Sequence, residues 1–217
     1  MKPSINAGIA ASLVSSIGFA AMDALTKQLV TTLSPAHLLL FRSAMILLLF
    51  VPLAAFFLGR DIFRTQAWAE TLWRSLLFAL TSALIVVSLR YLTLAETISI
   101  YFICPALTVL LAAWWLGEKV TLAAIAACAI GFVGIALIVQ PFQSADQAGH
   151  TLTWAYALPV LAAVAGAVQD VLSRKLKDRA SPSTLLIFGV LATAICGASL
   201  GGGEALTVPG RTESLLL

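Results

Sequence analysis

The 217-residue chain is 60% hydrophobic and only 11% charged, and its formal net charge is +3. Soluble domains carry about 25% charged residues, so the composition excludes an ordinary water-soluble fold and makes lipid the main partner of the surface. The basic residues form no face interleaved with aromatic residues, which argues against nucleic-acid binding. The three cysteines lie inside apolar runs and match no metal motif or disulfide framework. We therefore expect no metal and no cofactor.

Seven apolar segments are each long enough to be a membrane helix, which needs about 20 residues. The first could instead be a signal peptide after Lys2, but Asp23 and the many later spans favour a membrane helix. None of the segments shows the alternation of a β-barrel strand, so the predicted fold is an all-α polytopic membrane protein. The segments cover roughly residues 5–25, 36–58, 73–92, 95–116, 120–140, 154–173 and 184–203.

An internal repeat relates the first two segments to the last two. Shifting the sequence by 147 positions aligns residues 20–41 with 167–188, and nine of the 22 positions are identical, including an aspartate and a Ser-Pro pair. Five helices separate each segment from its copy. Because five is odd, the copy must enter the membrane from the opposite side, which predicts a bundle built on an inverted repeat, as in many transporters.

The distribution of basic residues predicts which side each loop faces. The loop after the first helix has one basic residue, Lys27, whereas its copy after the sixth helix has four in residues 174–179. The positive-inside rule then places the first loop outside, the second in the cytoplasm and the N-terminus inside. We expect a multi-pass protein of the bacterial inner membrane.

The repeat also predicts a division of the chain. Residues 1–141 form a first repeat of five helices, residues 142–153 an external loop, and residues 154–217 the first two helices of the second repeat. Copies of helices three to five would begin near residue 220, and the final TESLLL is typical of the first turn of an eighth helix. We expect seven helices of a ten-helix protein.

Residues 91–141 resemble the EamA-type repeat of the drug/metabolite transporter superfamily. The matching features are AETISI at 95–100, Pro105 within the fourth helix, LGEKV at 116–120, and Gly131 and Gly134 before Pro141. The resemblance implies a ten-helix inner-membrane carrier that moves small metabolites, often outward.

The fourth helix contains three candidates for the substrate pathway. Pro105 lies about nine residues into the helix, near the bilayer midplane, and leaves the carbonyl of Tyr101 without its helical partner. That carbonyl suits a polar substrate or a hinge, although a packed kink is the alternative. Glu96 is either a solvated helix-end residue or a proton relay, and Tyr101 either lines a cavity or packs.

The repeated aspartates are further candidates. Asp23 and Asp170, the latter next to Gln169, each precede a basic residue by four positions, which is the favourable order for a helical ion pair. They are either depth-setting ion pairs or gates at opposite faces. Arg42 lies about 10 Å inside the second helix and either extends outward or faces a cavity. The repeat partner of Arg42 is Gly189, which predicts an asymmetric site.

Small residues recur at four-residue spacing on two helices and predict close helix packing. They are Gly8, Ser12 and Ser16 on the first helix, and Ala123, Ala127 and Gly131, with Gly134 beyond, on the fifth.

Two functions remain open. The first is a secondary transporter of small metabolites or drug-like solutes that works by alternating access, driven by a proton or substrate gradient because no ATP site is present. The alternative is a truncated, non-transporting membrane scaffold or assembly partner. No catalytic motif favours an enzyme, and a homodimer is compatible with the sequence.

Overall fold

The computed structural model describes residues 5–58, 63–139 and 153–201. These residues form eight α-helices, and their only β pairing is one isolated bridge. A 3-10 turn at Thr153–Tyr156 precedes the seventh helix. The protein is therefore an all-α polytopic membrane protein, as predicted. The helices are α1 (Ile5–Leu29), α2 (Pro35–Leu58), α3 (Trp68–Tyr91), α4 (Leu94–Tyr101), α5 (Ile103–Leu116), α6 (Leu122–Val139), α7 (Ala157–Lys175) and α8 (Pro182–Leu200).

Five helical segments of the described chain are long and apolar enough to cross a membrane. A sixth, Leu122–Gly134, is apolar but shorter over the residues whose side chains are described. Large apolar side chains such as Phe56, at 84% exposure, and Trp114, at 82%, cover the outside of the chain. A lipid environment accounts for this exposure, because such a surface would be unfavourable in water. The five spans are Pro35–Phe56, Trp68–Tyr91, Leu94–Leu116, Trp154–Lys175 and Pro182–Leu200.

The predicted fourth helix is broken into α4 and α5 at Phe102. Pro105 has no N–H to bond the carbonyl of Tyr101, so the regular helical ladder cannot continue through this turn. The Phe102 N–H still bonds the Ile98 carbonyl at 3.0 Å, which closes α4 before α5 begins. One predicted segment thus becomes two helices within a single span.

Helix α3 occupies the centre of the described bundle. It packs against both α7 and α8, while α2 packs on α8 and α5 packs on α7. Val86 and Leu89 of α3 are almost fully buried and share a core cluster with Leu39 of α2. The helices of the predicted first repeat are therefore packed chiefly on those of the second.

The internal repeat is visible in local hydrogen bonds. Ser34 and Ser181 each precede a proline that begins a helix, and each accepts a bond from the backbone N–H three residues later, at 3.5 and 3.2 Å. Thr26 Oγ1 donates to the Met22 carbonyl at 2.7 Å, and its repeat partner Ser173 donates to the Gln169 carbonyl at 2.8 Å. The sequence repeat thus encodes the same helix-end geometry twice.

The two copies lie at opposite ends of α3. Lys27 Nζ donates to the carbonyls of Leu89 and Leu92, both at 2.7 Å, where α3 ends. The Ser181 N–H instead bonds the Arg64 carbonyl at 2.9 Å, just before α3 begins. We call these the Lys27 end and the Lys177 end. Since α3 has 24 residues and rises about 1.5 Å per residue, roughly 36 Å separates them.

Helix α8 has a row of small residues at four-residue spacing that packs closely on its neighbours. A Cβ on Gly197 would lie 3.0 Å from the Ala36 carbonyl oxygen of α2, and one on Gly189 would lie 3.0 Å from the Phe78 ring of α3. Both distances are too short for an ordinary Cβ contact, so glycine permits the approach. The row consists of Gly189, Thr193 and Gly197, and Gly201 continues the spacing just after the helix ends.

The predicted packing stripes have a different setting. A Cβ on Gly131 would lie 2.7 Å from the Phe102 ring, but Ala123 and Ala127 are exposed and Gly134 has nothing within 4 Å of a Cβ. On α1, Ser16 is exposed, while the side chains of Gly8 and Ser12 lie outside the described part. Residues 140–152, with most of the expected external loop, and residues 202–217, with TESLLL, also lie outside it.

Candidate functional site

The break between α4 and α5 brings Tyr101 against α7. The Tyr101 hydroxyl lies close to the Cys104 thiol. A Cβ on Gly166 of α7 would lie 2.8 Å from that hydroxyl oxygen and 3.2 Å from the Cys104 sulfur. Gly166 therefore lets the broken helix pack directly on the α7 backbone, and the half-buried hydroxyl sits at this contact.

Both repeated aspartates lie near this hydroxyl. Tyr101 is within electrostatic range of Asp170 on α7 and of Asp23 on α1. Thr108, whose hydroxyl donates to the Cys104 carbonyl at 2.9 Å, lies beside the Asp170 side chain. Tyr101 thus lies within electrostatic range of the equivalent acidic residue of each repeat, although these residues are far apart in the sequence.

The basic residue that acts electrostatically on Asp23 is not the one predicted. It is Arg42 on α2, and both side chains are half-buried. Lys27, the expected partner four residues later, points its ammonium group at the two carbonyls that end α3. This corrects the helix-end ion pair, because the ammonium group of Lys27 is engaged by these two carbonyls and not by Asp23. Arg42 is half-buried and lies within electrostatic range of Asp23.

Besides Arg174, the predicted basic residue four positions later, Asp170 has an arginine partner that the sequence did not indicate. Arg74 of α3 interacts electrostatically with Asp170, donates through Nε to Ser173 Oγ at 3.0 Å and through a terminal nitrogen to the Leu185 carbonyl. Its guanidinium also lies 5.5 Å from the centre of the Phe78 ring. An arginine in an apolar bundle is costly unless it is paired and hydrogen-bonded, and these contacts meet that need.

Glu96 is engaged at the start of α4. Its carboxylate accepts bonds from the N–H and the hydroxyl of Thr93, both at 2.8 Å, in a capping box, and a bond from the Tyr156 hydroxyl at 3.0 Å. These bonds fix the entry of α4 against the start of α7. Pro105 is exposed in this chain, and Gln169 is half-buried and bonded to Ser173 through its carbonyl.

Ion pairs join the helices at the Lys177 end. Arg174 pairs with Glu118 of the predicted LGEKV motif at 3.0 Å, and Lys175 and Arg179 pair with Glu70 at 3.1 and 3.7 Å. The Arg174 and Glu118 side chains are half exposed, so each such pair adds little stability. Together they link the end of α7 to α3 and to the loop after α5.

The arrangement provides two opposite charges in each half and a hydroxyl between the halves. A charge pair inside an apolar bundle can exchange partners with a bound solute that offers complementary charges, without leaving a charge unpaired. The helix break supplies polar backbone beside the same position. These are features of a binding site for a polar small molecule.

The chain is similar to known membrane transporters. Residues 6–140 match the EamA-like transporter family. The chain belongs to this family. The match covers α1 to α6 and ends where the predicted first repeat ends, one residue before Pro141.

Curated relatives of this EamA-like chain include transporters with named solutes. It is 27% identical over 214 residues to an S-adenosylmethionine uptake transporter of Rickettsia felis, covering 96% of the chain and 69% of the relative. It is 27% identical to the same-named protein of Rickettsia bellii, covering 87% and 62%. It is 33% identical over 162 residues to a riboflavin transporter of Rhizobium johnstonii, covering 74% and 51%. The chain thus spans about half to two thirds of these relatives. No solved structure matches it significantly.

Several residues of the site in this EamA-like chain were missed by sequence reasoning. Arg74 lies six residues inside α3, close to the depth of Arg42, which lies seven residues inside α2, and this depth is the signal that could have identified it. The Thr93–Glu96 capping box is a readable local signal. The contacts of Cys104, Thr108 and Gly166 have no local signal, because each depends on how α5 meets α7.

Proposed function

We propose that this protein is a secondary transporter, or the greater part of one, that moves a small metabolite across the membrane by alternating access. The observation that carries the proposal is the placement of the two repeat copies at opposite ends of α3, with their aspartates near one tyrosine. Inverted repeats allow one half to rock against the other about a site near the midplane, so that the site opens to each side in turn. Transport, rather than catalysis, is the activity this geometry serves.

We infer that the Lys177 end faces the cytoplasm. Basic residues gather there in the folded chain, in the loop after α7 and beside the starts of α3 and α6. The Lys27 end has few basic residues, chiefly Lys27 and Arg90. The positive-inside rule then puts the N-terminus in the cytoplasm. We place the protein in a bacterial inner membrane, because its relatives come from the bacteria Rickettsia and Rhizobium.

The relatives suggest which solutes to test first. S-adenosylmethionine and riboflavin both join a fused heteroaromatic ring to a hydroxylated sugar or sugar alcohol, but only the first also carries an amino-acid group with both charges. The Asp23–Arg42 and Asp170–Arg74 pairs offer complementary charges for such a group, and Tyr101 offers a hydroxyl and a ring. We therefore propose S-adenosylmethionine-like solutes as the first class and riboflavin-like solutes as the second.

The test is uptake by proteoliposomes that contain the purified 217-residue chain. We expect saturable accumulation of labelled S-adenosylmethionine, inhibited by excess unlabelled solute, and loss of most uptake in Arg42→Ala. A Lys177→Ala variant, which removes one exposed positive charge outside the site, is the matched control and retains uptake. Absence of saturable flux for both solutes and for a panel of amino acids and nucleosides would overturn the proposal.

The scaffold function remains the second candidate. It is favoured by the tight packing of α7 and α8 on α3, which makes a bundle from the described residues without further helices. A folded chain that shows no flux but co-purifies with a defined membrane protein at fixed stoichiometry would support it.

A further inference from the structure

We propose that Arg74 of α3 supplies to the second half of the site the arginine that Arg42 supplies to the first. The repeat places Gly189 where Arg42 stands, so the second half lacks an arginine at that position. Arg74 comes from a helix outside the repeated segment and fills the role. This inference deepens the proposed function, on which its transport readout rests.

The first observation is where the Arg74 guanidinium lies. A Cβ on Gly189 would be 3.3 Å from a terminal nitrogen of Arg74 and 3.0 Å from the Phe78 ring, which itself stacks near the guanidinium. The space that an arginine side chain would need at position 189 is thus occupied by Arg74 and the ring it packs on. The absence of a side chain at Gly189 is therefore what leaves room for the Arg74 side chain.

The second observation is the partner. Asp23 interacts with Arg42, and its repeat equivalent Asp170 interacts with Arg74. Arg74 also bonds Ser173, three residues after Asp170 and therefore on the same face of α7. Ser173 is the equivalent of Thr26, and both hydroxyls bond the carbonyl four residues earlier. The acidic residue and the hydroxyl bond three residues later are repeated, while the arginine comes from a different helix.

The consequence is a site with an aspartate and an arginine from another helix in each half. Both arginines lie at similar depth, Arg42 seven residues inside α2 and Arg74 six residues inside α3, counted from opposite ends of the bundle. A solute that carries one positive and one negative group can match both charges of either pair, whereas a solute of one sign can match only one of them. Arg74 is then a specificity-determining residue and not only a packing residue.

The pairing is tested first by stability, because this readout needs no substrate. Thermal unfolding in detergent is measured for wild type, Arg74→Ala, Asp170→Asn and the double variant, with Lys177→Ala as the charge-loss control. We expect the melting temperature of the double variant to fall by clearly less than the sum of the two single-variant decreases, because either single change already removes the interaction. Additive shifts would overturn the proposal.

The equivalence with Arg42 is tested by moving the arginine. Arg74→Ala combined with Gly189→Arg returns the charge to the repeat position, and Arg74→Ala combined with Thr193→Arg places it one turn away on the same helix. We expect Arg74→Ala to lower uptake of the solute that wild-type vesicles accumulate about tenfold or more. The first combination recovers uptake at least in part, and the second does not.

The outcomes separate the two claims. If Thr193→Arg restores uptake as well as Gly189→Arg does, the effect of the charge is nonspecific and the proposal is overturned. The proposal is also overturned if the Gly189→Arg combination folds but restores neither stability nor uptake. If the Gly189→Arg combination does not fold, the Arg74–Asp170 coupling decides. If wild type shows no flux but the coupling and the stability rescue are present, the Arg74 assignment holds and the transport function fails.

Discussion

Gly166→Ala should weaken the contact between the broken helix and α7. The added Cβ would lie 2.8 Å from the Tyr101 hydroxyl oxygen and 3.2 Å from the Cys104 sulfur, both well inside the optimal separation of about 3.5–4.0 Å. Overpacking of this kind lowers the free energy of unfolding by about 1–3 kcal/mol, whereas the higher helix propensity of alanine raises it by about 1 kcal/mol. Gly134→Ala is the matched control, because nothing lies within 4 Å of its Cβ. We expect the two variants to differ by about 1–3 kcal/mol.

Tyr101→Phe provides the internal check. It removes the hydroxyl oxygen that the new methyl group approaches, so the nearest atom of residue 101 becomes Cε2 at 3.6 Å, an ordinary contact. The Gly166→Ala/Tyr101→Phe double variant should therefore be more stable than the sum of the single changes, by about 1 kcal/mol. Unfolding in mixed micelles, followed by circular dichroism, gives all four values. The reasoning is refuted if Gly166→Ala gains as much stability as Gly134→Ala.

Three further predictions concern the rest of the bundle. Gly197→Ala should lower the free energy of unfolding by about 1–3 kcal/mol relative to Gly134→Ala in the same assay, because its Cβ would lie 3.0 Å from a backbone carbonyl oxygen. Equal stabilities of the two variants would show that α2 and α8 can separate freely. Lys27→Met should cost about 1–3 kcal/mol, since two carbonyls at the end of α3 lose a charged donor, and an unchanged melting curve would contradict the bonds. Glu118→Gln should change stability by less than about 1 kcal/mol, because its pair with Arg174 is half exposed, and a larger loss would mean that this pair is buried in the membrane-bound protein.

Helix positions were predicted well because apolar runs between charged loops leave few alternatives in lipid. The segments predicted to begin near residues 36 and 184 begin at Pro35 and Pro182 in the structure. The break at Phe102 was not predicted as a division of the helix, although Pro105 was recognised as the position where the backbone loses a bond. Local chemistry thus locates an element more reliably than it describes its continuity.

The pairing of charges could not be predicted, because it depends on which helices meet. The sequence favoured Asp23 with Lys27 on one helix, but Lys27 finds carbonyl acceptors at the end of α3 and Asp23 finds Arg42. The second repeat has Gly189 where the first has Arg42, but in the structure the Arg74 side chain lies in the space beside Gly189. The row of small residues at 189–201 indicates the close approach of α8 to its neighbours, whereas the predicted rows lie on α1 and α6.

The central claim, that two copies of one unit lie upside down relative to each other in the membrane, is tested most directly by labelling the two equivalent loops. In a chain whose three cysteines are replaced by alanine, Thr31→Cys and Lys177→Cys each place one exposed thiol at the Lys27 end or the Lys177 end. A membrane-impermeant maleimide applied to intact cells should label the first variant, and label the second only after the membrane is permeabilised. Labelling of both thiols, or of neither, in intact cells would contradict the inverted arrangement.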